Sequence, residues 1–420
     1  MKSIFLQILQ ERGFINDCTD LAALDDLIVE KSARGDPLRA YIGFDLTAPS
    51  LHVGSLIQIM MIRWMVHCRH DPIILLGTYT TMVGDPTGKM SARPMLSKEE
   101  IEKNYSRIQE VIGWITDLDP NYEGEENYKE NWWHEDFGFM EFLQKYGRHF
   151  SANRLLALDA VKSRVESENG ISVLEMLYPM MQAVDFHELN SRYGVELQIG
   201  GSDQWGNITA GVDLSRRIRA ASGHEERKLF GLTTPLFTNS AGEKMGKTAN
   251  GAVWLHPDMT SRHDFFQFWM NIEDSKVEQC LKLFTELPLD AIDHAMSVNG
   301  PGIMEAKRAL AIAVTDIVHG AGEGAIESVR SKRMFEDGLM KGAPEITVEG
   351  MAGASIAEVL VKVGLVKSNK EADRMAANGG VKMRGQRVDD VRQPFPPVID
   401  KADGVVLSVG KRAFTVHFYP

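Results

Sequence analysis

The stretch from Leu38 to about Cys68 constrains the fold most. An apolar-rich run, Leu38–Phe44, reads as a strand, and a polar turn holding Asp45, Thr47 and Pro49 follows it. His52, Val53, Gly54 and Ser55 then open a long apolar-rich helix, Leu56 to about Cys68. A strand feeding a helix N-terminus is a natural phosphate site, because the first turn offers free N–H groups and the positive end of the helix dipole. Gly54 would let a ligand lie flat against the turn. His52 adds a donor without a permanent charge. Taken alone, such a turn is as often plain scaffold as a site. A second buried strand is expected at Pro72–Gly77 (PIILLG), followed by the Gly-rich turn TYTTMVGDPTGKMSAR and a helix that Ser97 and Glu100 open with a capping box. Strands alternating with helices in this way predict an α/β sheet.

A chain of 420 residues needs two or three domains. Residues 1–37 read as two helices, 120–137 as a polar surface excursion, 138–190 as helical and Val195–Ile199 as a further strand, running into GGSDQWGNITAG. From about 260 to 342 the pattern is helical, and Pro344 with Gly350 to Gly353 marks a linker. In the tail, Ile356, Val359, Leu360 and Val363 make one apolar helical face. Ser368 and Glu371 then read as a capping box, and GGVKMRGQRV as strand-turn-strand. The tail is also basic. Residues 361–420 hold eleven Lys and Arg against six Asp and Glu, net +5, so with −12 for the whole chain the remainder carries −17. An acidic body argues against generic polyanion binding, and a basic tail points to nucleic acid there. Cys18, Cys68 and Cys280 are odd in number and far apart, which predicts a reducing, cytoplasmic setting without a disulfide framework. No secretory leader or membrane-spanning run is expected, since Arg63 interrupts the most apolar helix.

Several motif readings fall away. GDPTGK at 84–89 lacks the spacing of a phosphate-binding P-loop, and no G-x-G-x-x-G follows a strand. His67, Cys68 and His70 lack the paired spacing of zinc ligands, so no metal site is expected. GEKMGKT at 242–248 places two lysines three apart between glycines. It fits either an ordinary basic turn or a mobile loop that neutralises a departing pyrophosphate.

HVGS in the first turn and KMGKT nearly two hundred residues later together resemble the signature pair of class I aminoacyl-tRNA synthetases, HIGH and KMSKS. YIGFDLTAPSLHVGS, VGDPTGK, YPMMQAVDF and QIGGSDQWGNITAG each resemble stretches of the bacterial tyrosyl-tRNA synthetase family, in the same order, and the tail from about 351 resembles an S4-type RNA-binding module. The resemblance covers essentially the whole chain. It implies a Rossmann-like α/β catalytic domain over 1–256 with a helical insertion at about 138–190. A helical anticodon-binding domain over 257–345 and a small α+β S4-like domain over 351–420 would follow. The implied reaction joins L-tyrosine to ATP, with Mg2+ accompanying the nucleotide and no dedicated protein metal site, then passes the tyrosyl group to tRNA(Tyr). A homodimer is implied as well.

The same resemblance implies roles for individual residues. Thr47 and His52 would grip the ATP phosphates, with Lys244, Lys247 and Thr248 on the pyrophosphate side. Tyr178, Gln182 and Asp85 would hold the substrate ammonium, and Tyr41 with Asp185 the phenolic hydroxyl. Gly201, Asp203 and Gln204 would form the ribose loop, while Asp45, Gly54 and Ser55 lie beside the nucleotide. In the tail, Lys362, Lys367, Lys370, Arg374, Lys382, Arg384 and Arg387 would meet RNA. Two positions depart from the family pattern: Ser55 replaces the second histidine of HIGH, and Gly246 replaces a serine of KMSKS. The rival readings are a tryptophanyl-tRNA synthetase, a non-catalytic RNA-binding relative and a nucleotidylyltransferase. The Tyr41/Asp185 pair and the S4-like tail disfavour the first, retention of His52 and Lys247 the second, and the lysine loop together with an RNA-binding tail the third.

Overall fold

The computed structural model describes residues 1–87, 96–118, 125–167, 170–223, 228–248, 251–297, 302–336, 345–349, 353–383, 386–395, 404–410 and 412–419. The chain divides into two compact units, Met1–Gly324 and Ala325–Pro420.

The first unit is built on a six-stranded sheet of β1 (Asp17–Cys18), β2 (Arg39–Asp45), β3 (Asp71–Gly77), β4 (Tyr128–Glu130), β5 (Leu197–Gly201) and β6 (Phe230–Thr234). Their spatial order is β1-β6-β5-β2-β3-β4, all parallel except β1, which runs antiparallel to β6. The chain therefore leaves β2 on one side, through β3 and β4, and returns to its other side with β5 and β6. In open parallel sheets, ligands bind beyond the C-terminal strand ends where the order reverses. Here that point lies between β2 and β5.

Strand periodicity decides what each face of β2 meets. Ala40, Ile42 and Phe44 join the core that also buries Met60, Met61 and Met65 of the helix Leu56–His67 and Ile108 and Ile112 of the helix Lys98–Thr116. Tyr41 faces the other way, among Trp133, Tyr146 and Phe186. Arg63 does interrupt the apolar helix, but it is matched there: its Nε donates to Glu286 at 2.7 Å, and its guanidinium also reaches the Ile115 carbonyl. Arg12 works likewise. It donates to the carbonyls of Thr285 and Leu287, at 2.9 and 2.7 Å, while its guanidinium lies over the Trp64 ring. It thereby ties the first helix, Ile4–Arg12, to the helical region that follows the sheet.

That region comprises Arg262–Met270, Val277–Phe284, Leu289–Ser297 and Gly302–His319, packed about Phe265, Trp269, Phe284 and Leu310. His319 sits against Phe265 with both ring nitrogens buried and unpartnered, and His187 has a buried unpartnered Nδ1. Burial holds each imidazole down to about 4. An unfolded histidine titrates near about 6.5, so the unfolded chain takes up these protons first. The stability that neutral burial contributes is then lost as pH falls from about 6.5 toward 4, by about 2 kcal/mol per histidine at pH 5. The double variant His187→Phe/His319→Phe should show a drop in melting temperature between pH 7 and pH 5 smaller than that of the wild type by a few degrees. Parallel pH profiles would refute this account.

After β6, a hairpin of β7 (Lys247–Thr248) and β8 (Gly251–Ala252) carries the lysine loop. The second unit has a five-stranded sheet in the order β11-β10-β12-β13-β9, formed by β9 (Glu345–Glu349), β10 (Val381–Met383), β11 (Gln386–Arg387), β12 (Val405–Val409) and β13 (Arg412–Tyr419). Helices Ile356–Lys362 and Asn369–Ala377 supply Ile356, Val359, Leu360 and Ala372 to its core. Two expectations are corrected here. Part of the expected linker is β9, which pairs in parallel with β13. At the second helix, Ser368 caps Glu371 N, but the Glu371 carboxylate takes the N–H of Lys367 at 2.7 Å, not that of Ser368, so the box is not reciprocal. A full capping box instead opens the helix before it, between Ser355 and Glu358.

Candidate active site

β2 ends where its site-facing residues become small or polar. Gly43 is exposed in mid-strand, and a Cβ there would meet only Tyr41, at 4.0 Å. It leaves a flat floor above a fully buried Tyr41. The Tyr41 hydroxyl has no hydrogen-bond partner among the described residues. Burial, with the nearby Asp185 charge second, raises its pKa well above the usual tyrosine value, so the hydroxyl keeps its proton.

Asp185, 1% exposed, comes from the helix Val173–Tyr193. Its Oδ1 accepts Trp133 Nε1 at 2.8 Å and His134 Nε2 at 2.7 Å, and its Oδ2 accepts Asn131 Nδ2 at 3.3 Å. These three donors lie in the stretch read from sequence as a surface excursion. That reading fails at Tyr128, Asn131 and Trp133, which are buried where β4 completes the sheet edge, and holds at the exposed Glu130, Trp132, Glu135 and Asp136, while 120–124 lie outside the described residues. Asn131, Trp133 and His134 serve a buried carboxylate, not solvent. Sequence reasoning missed all three residues, and missed Thr80, which donates to Asp45 at 3.4 Å and accepts from Asn131 at 3.2 Å. The unusual NWWH cluster was the only available signal.

The three expected ammonium ligands stand in two connected groups. Tyr178 Oη donates to Asp45 Oδ1 at 3.1 Å. Asp85, buried, accepts Thr87 N at 2.9 Å and Gln204 Nε2 at 2.7 Å. The Gln204 carbonyl in turn accepts Gln182 Nε2 at 3.2 Å, which leaves Gln182 Oε1 buried and unpartnered. A buried lone acceptor joined through Gln204 to a carboxylate suits a cationic N–H donor. Gln204, expected at the ribose, thus bridges Asp85 and Gln182 in this structure.

Beyond β2 the chain turns through an exposed Thr47 to His52, the N-cap of a single 3-10 turn, Val53–Ser55. His52 Nδ1 accepts Gly54 N at 3.0 Å, so a neutral ring carries its proton on Nε2 as a donor. Ser55 begins the long helix without a side-chain cap. Residues 51–53 and 253–255 are tied by Val53 N to the Val253 carbonyl, Leu255 N to the Leu51 carbonyl, and a bridge between His52 and Trp254. This pairing sets the lysine loop against the histidine turn. Gly246 adopts φ +111°, and a Cβ there would come within 3.2 Å of Val53 and 3.4 Å of Gly54 N. The departure from serine at 246 is therefore accounted for by close backbone approach in a left-handed conformation.

Lys244 Nζ pairs with Asp203 Oδ2 at 2.7 Å. Asp203 follows Gly201, whose Cα approaches so closely that a Cβ would lie 2.8 Å from Asp203 Oδ1. The backbones of Lys247 and Thr248 pair with Ala252 and Gly251, and their side chains lie outside what is described. In the second unit Lys362, Lys367, Lys370, Arg374, Lys382 and Arg387 are all exposed, and Arg384 lies outside the described residues. Lys382 and Arg387 are direct cross-strand partners. The Arg387 guanidinium lies over Gly379, just beyond the helix that carries Lys370 and Arg374. Among the described residues, no group of three or more His, Cys, Asp or Glu could hold a metal ion, and no helix is long and apolar enough to cross a membrane.

A family model, tRNA synthetases class I (W and Y), matches residues 33–335, and a Tyrosine–tRNA ligase SYY-like C-terminal domain matches residues 335–416. The chain is 44% identical over 415 residues to the Tyrosine–tRNA ligase of Ruegeria pomeroyi, covering 98% of this chain and 97% of that one. It is likewise 44% identical over 418 residues to that of Agrobacterium fabrum, with 98% and 97% covered. Among solved structures, a C-terminally truncated mitochondrial tyrosyl-tRNA synthetase of Aspergillus nidulans superposes with a TM-score of 0.69 at 31% identity, covering 80% of this chain and 95% of that one. The Archaeoglobus fulgidus tyrosyl-tRNA synthetase complexed with L-tyrosine shares the fold, with a TM-score of 0.54 at 15% identity over 77% of this chain and 99% of that one.

Proposed function

The chain belongs to the class I tRNA synthetases (W and Y), and from that premise we propose that it is a tyrosine–tRNA ligase whose two steps run at the C-terminal ends of β2 and β5. The observation that carries the choice of amino acid is the buried, unpartnered Tyr41 hydroxyl beside Asp185. A phenol entering between them donates to the carboxylate and accepts from Tyr41, so both groups are satisfied. A phenylalanine ring would leave the Tyr41 hydroxyl unpaired and the open direction on Asp185 Oδ2 unfilled.

In the first step the tyrosine carboxylate attacks the α-phosphate of Mg–ATP, giving tyrosyl-adenylate and pyrophosphate. The nucleophile is already charged, so catalysis is positioning and charge stabilisation. Asp85, Tyr178 and Gln182 hold the ammonium. His52 Nε2–H and the Thr47 hydroxyl meet the phosphates. Lys244, Lys247 and Thr248 act on the pyrophosphate side, and Gly201, Asp203 and Gln204 on the ribose, with Asp45, Gly54 and Ser55 beside the nucleotide. The pairing of Lys244 with Asp203 supports this arrangement, because it joins the loop to the ribose position. In the second step a terminal ribose hydroxyl of tRNA(Tyr) attacks the tyrosyl carbonyl of the adenylate, forming the ester and releasing AMP with the hydroxyl proton given up.

The division of labour follows: 1–256 for catalysis, 257–345 for the anticodon and 351–420 for further RNA contact through its exposed Lys and Arg. The enzyme acts in the cytoplasm as a homodimer. Exposed Phe139, Met140, Val165, Val173 and Leu174 on the helical insertion support a second copy packing there.

ATP–pyrophosphate exchange tests the proposal: exchange should depend on tyrosine, and Tyr41→Phe should raise the KM for tyrosine about tenfold. Exchange supported by tryptophan and not by tyrosine would assign the chain to the other branch of the family. Exchange with no amino acid would remove the catalytic reading.

A further inference from the structure

We propose that His134 is a positioning residue for tyrosine recognition: its Nε2–H holds the Asp185 carboxylate so that the remaining oxygen accepts the substrate hydroxyl. The inference rests on the tyrosine-ligase reading and deepens it. The His134 and Asp185 side chains are 5% and 2% exposed, so their contact at 2.7 Å is shielded from solvent. An ionised carboxylate only accepts, so the ring nitrogen facing it must donate. Oδ1 then receives two short N–H contacts, from Trp133 and His134, and its two acceptor directions are taken. Oδ2 receives one longer contact, from Asn131 at 3.3 Å, and keeps a direction open. Tyr41 Oη, buried and unpartnered, stands beside the same carboxylate. The donors on Oδ1 thus decide which way the open acceptor points. Two other partly enclosed imidazoles, His187 and His319, hold buried ring nitrogens without partners, so the His134 contact is no general consequence of enclosure.

A competing role for His134 is packing, since its ring also lies 6.4 Å from those of Trp133 and Phe142. The two roles separate by substrate. A packing ring serves tyrosine and phenylalanine alike, whereas a donor to Asp185 matters only to a substrate with a hydroxyl.

The test uses the full chain and compares His134→Phe, which keeps a ring and loses the donor, with His134→Gln, which keeps an N–H donor. ATP–pyrophosphate exchange is measured with tyrosine and, at high concentration, with phenylalanine. His134→Phe should raise the KM for tyrosine about tenfold. The kcat for tyrosine, the KM for ATP and the parameters for phenylalanine should change less than about twofold. His134→Gln should recover most of the tyrosine KM. Equal losses for both amino acids, no change for either, or a glutamine variant as impaired as the phenylalanine one would each overturn the proposal. Wild-type exchange is read first. If tyrosine does not support it, the function itself fails and the inference goes with it; if it does, the variants judge His134 alone.

Discussion

His52→Ala is expected to slow tyrosyl-adenylate formation by about a hundredfold to a thousandfold while tyrosine affinity stays within about twofold. The asymmetry follows from where the ring sits. Its Nδ1 is committed to Gly54 N, at 3.0 Å, so the donor on Nε2 comes pre-oriented and costs no reordering as charge develops on the phosphates. Tyrosine recognition is assigned to Tyr41, Asp185, Asp85, Tyr178 and Gln182; the hydrogen bonds given above for Asp185, Asp85, Tyr178 and Gln182 run to residues other than His52. Loss of the cap itself should cost only about 1 kcal/mol of stability. Pre-steady-state measurement of adenylate formation, with tyrosine binding followed separately by equilibrium dialysis, separates the two quantities. Equal losses in rate and affinity would count against a role confined to the transition state. His52→Gln, which restores a donor on a longer stem, should recover part of the rate.

Removal of the basic unit should act on the opposite half of the reaction. A chain ending at Glu336 is expected to form tyrosyl-adenylate at close to the full rate and to charge tRNA(Tyr) at least about a hundredfold more slowly at physiological salt. The break belongs there and not at 350, because β9 pairs only within the second unit's sheet and would be stranded without β13. Met1–Gly324 is a compact unit by itself, and a chain ending at Glu336 keeps all of it, which supports independent folding of that part. The mechanism is electrostatic. On the proposed reading, exposed Lys and Arg on Asn369–Ala377 and on the β10–β11 hairpin would meet the phosphate backbone, and each neutralised phosphate would add to the salt dependence of binding. The double substitution Lys370→Glu/Arg374→Glu should accordingly weaken tRNA binding and flatten its salt slope without touching exchange. Unchanged charging by the truncated chain would remove the unit from tRNA recognition.

Local pattern made much of the fold legible. Leu38–Phe44 and Pro72–Gly77 read as buried strands because apolar runs of that length between turns fit little else, and both are central strands. Ser97 and Glu100 read as a capping box because the reciprocal contact spans three residues. Within the segment 120–137, local composition misleads at Tyr128, Asn131, Trp133 and His134 for the same reason. Its composition is polar, and nothing in its own spacing shows that Asn131, Trp133 and His134 meet a carboxylate more than fifty residues on.

The stretch from Tyr41 to Ser55 shows where the two levels divide. By itself the sequence determined that a strand would pass through a polar turn into a helix, and that His52 and Gly54 would stand at that turn. Periodicity and helix-end chemistry are local, and so are written in order along the chain. Only the tertiary structure decided that residues 51–53 pair with 253–255, that Gly246 must be φ-positive and bare to lie against Gly54, and that Asp185 arrives beside Tyr41 with one acceptor direction still open. Those contacts join residues up to about two hundred positions apart. Their partners are set by which buried donors and acceptors must be satisfied together, a condition that exists only once the chain has closed around them.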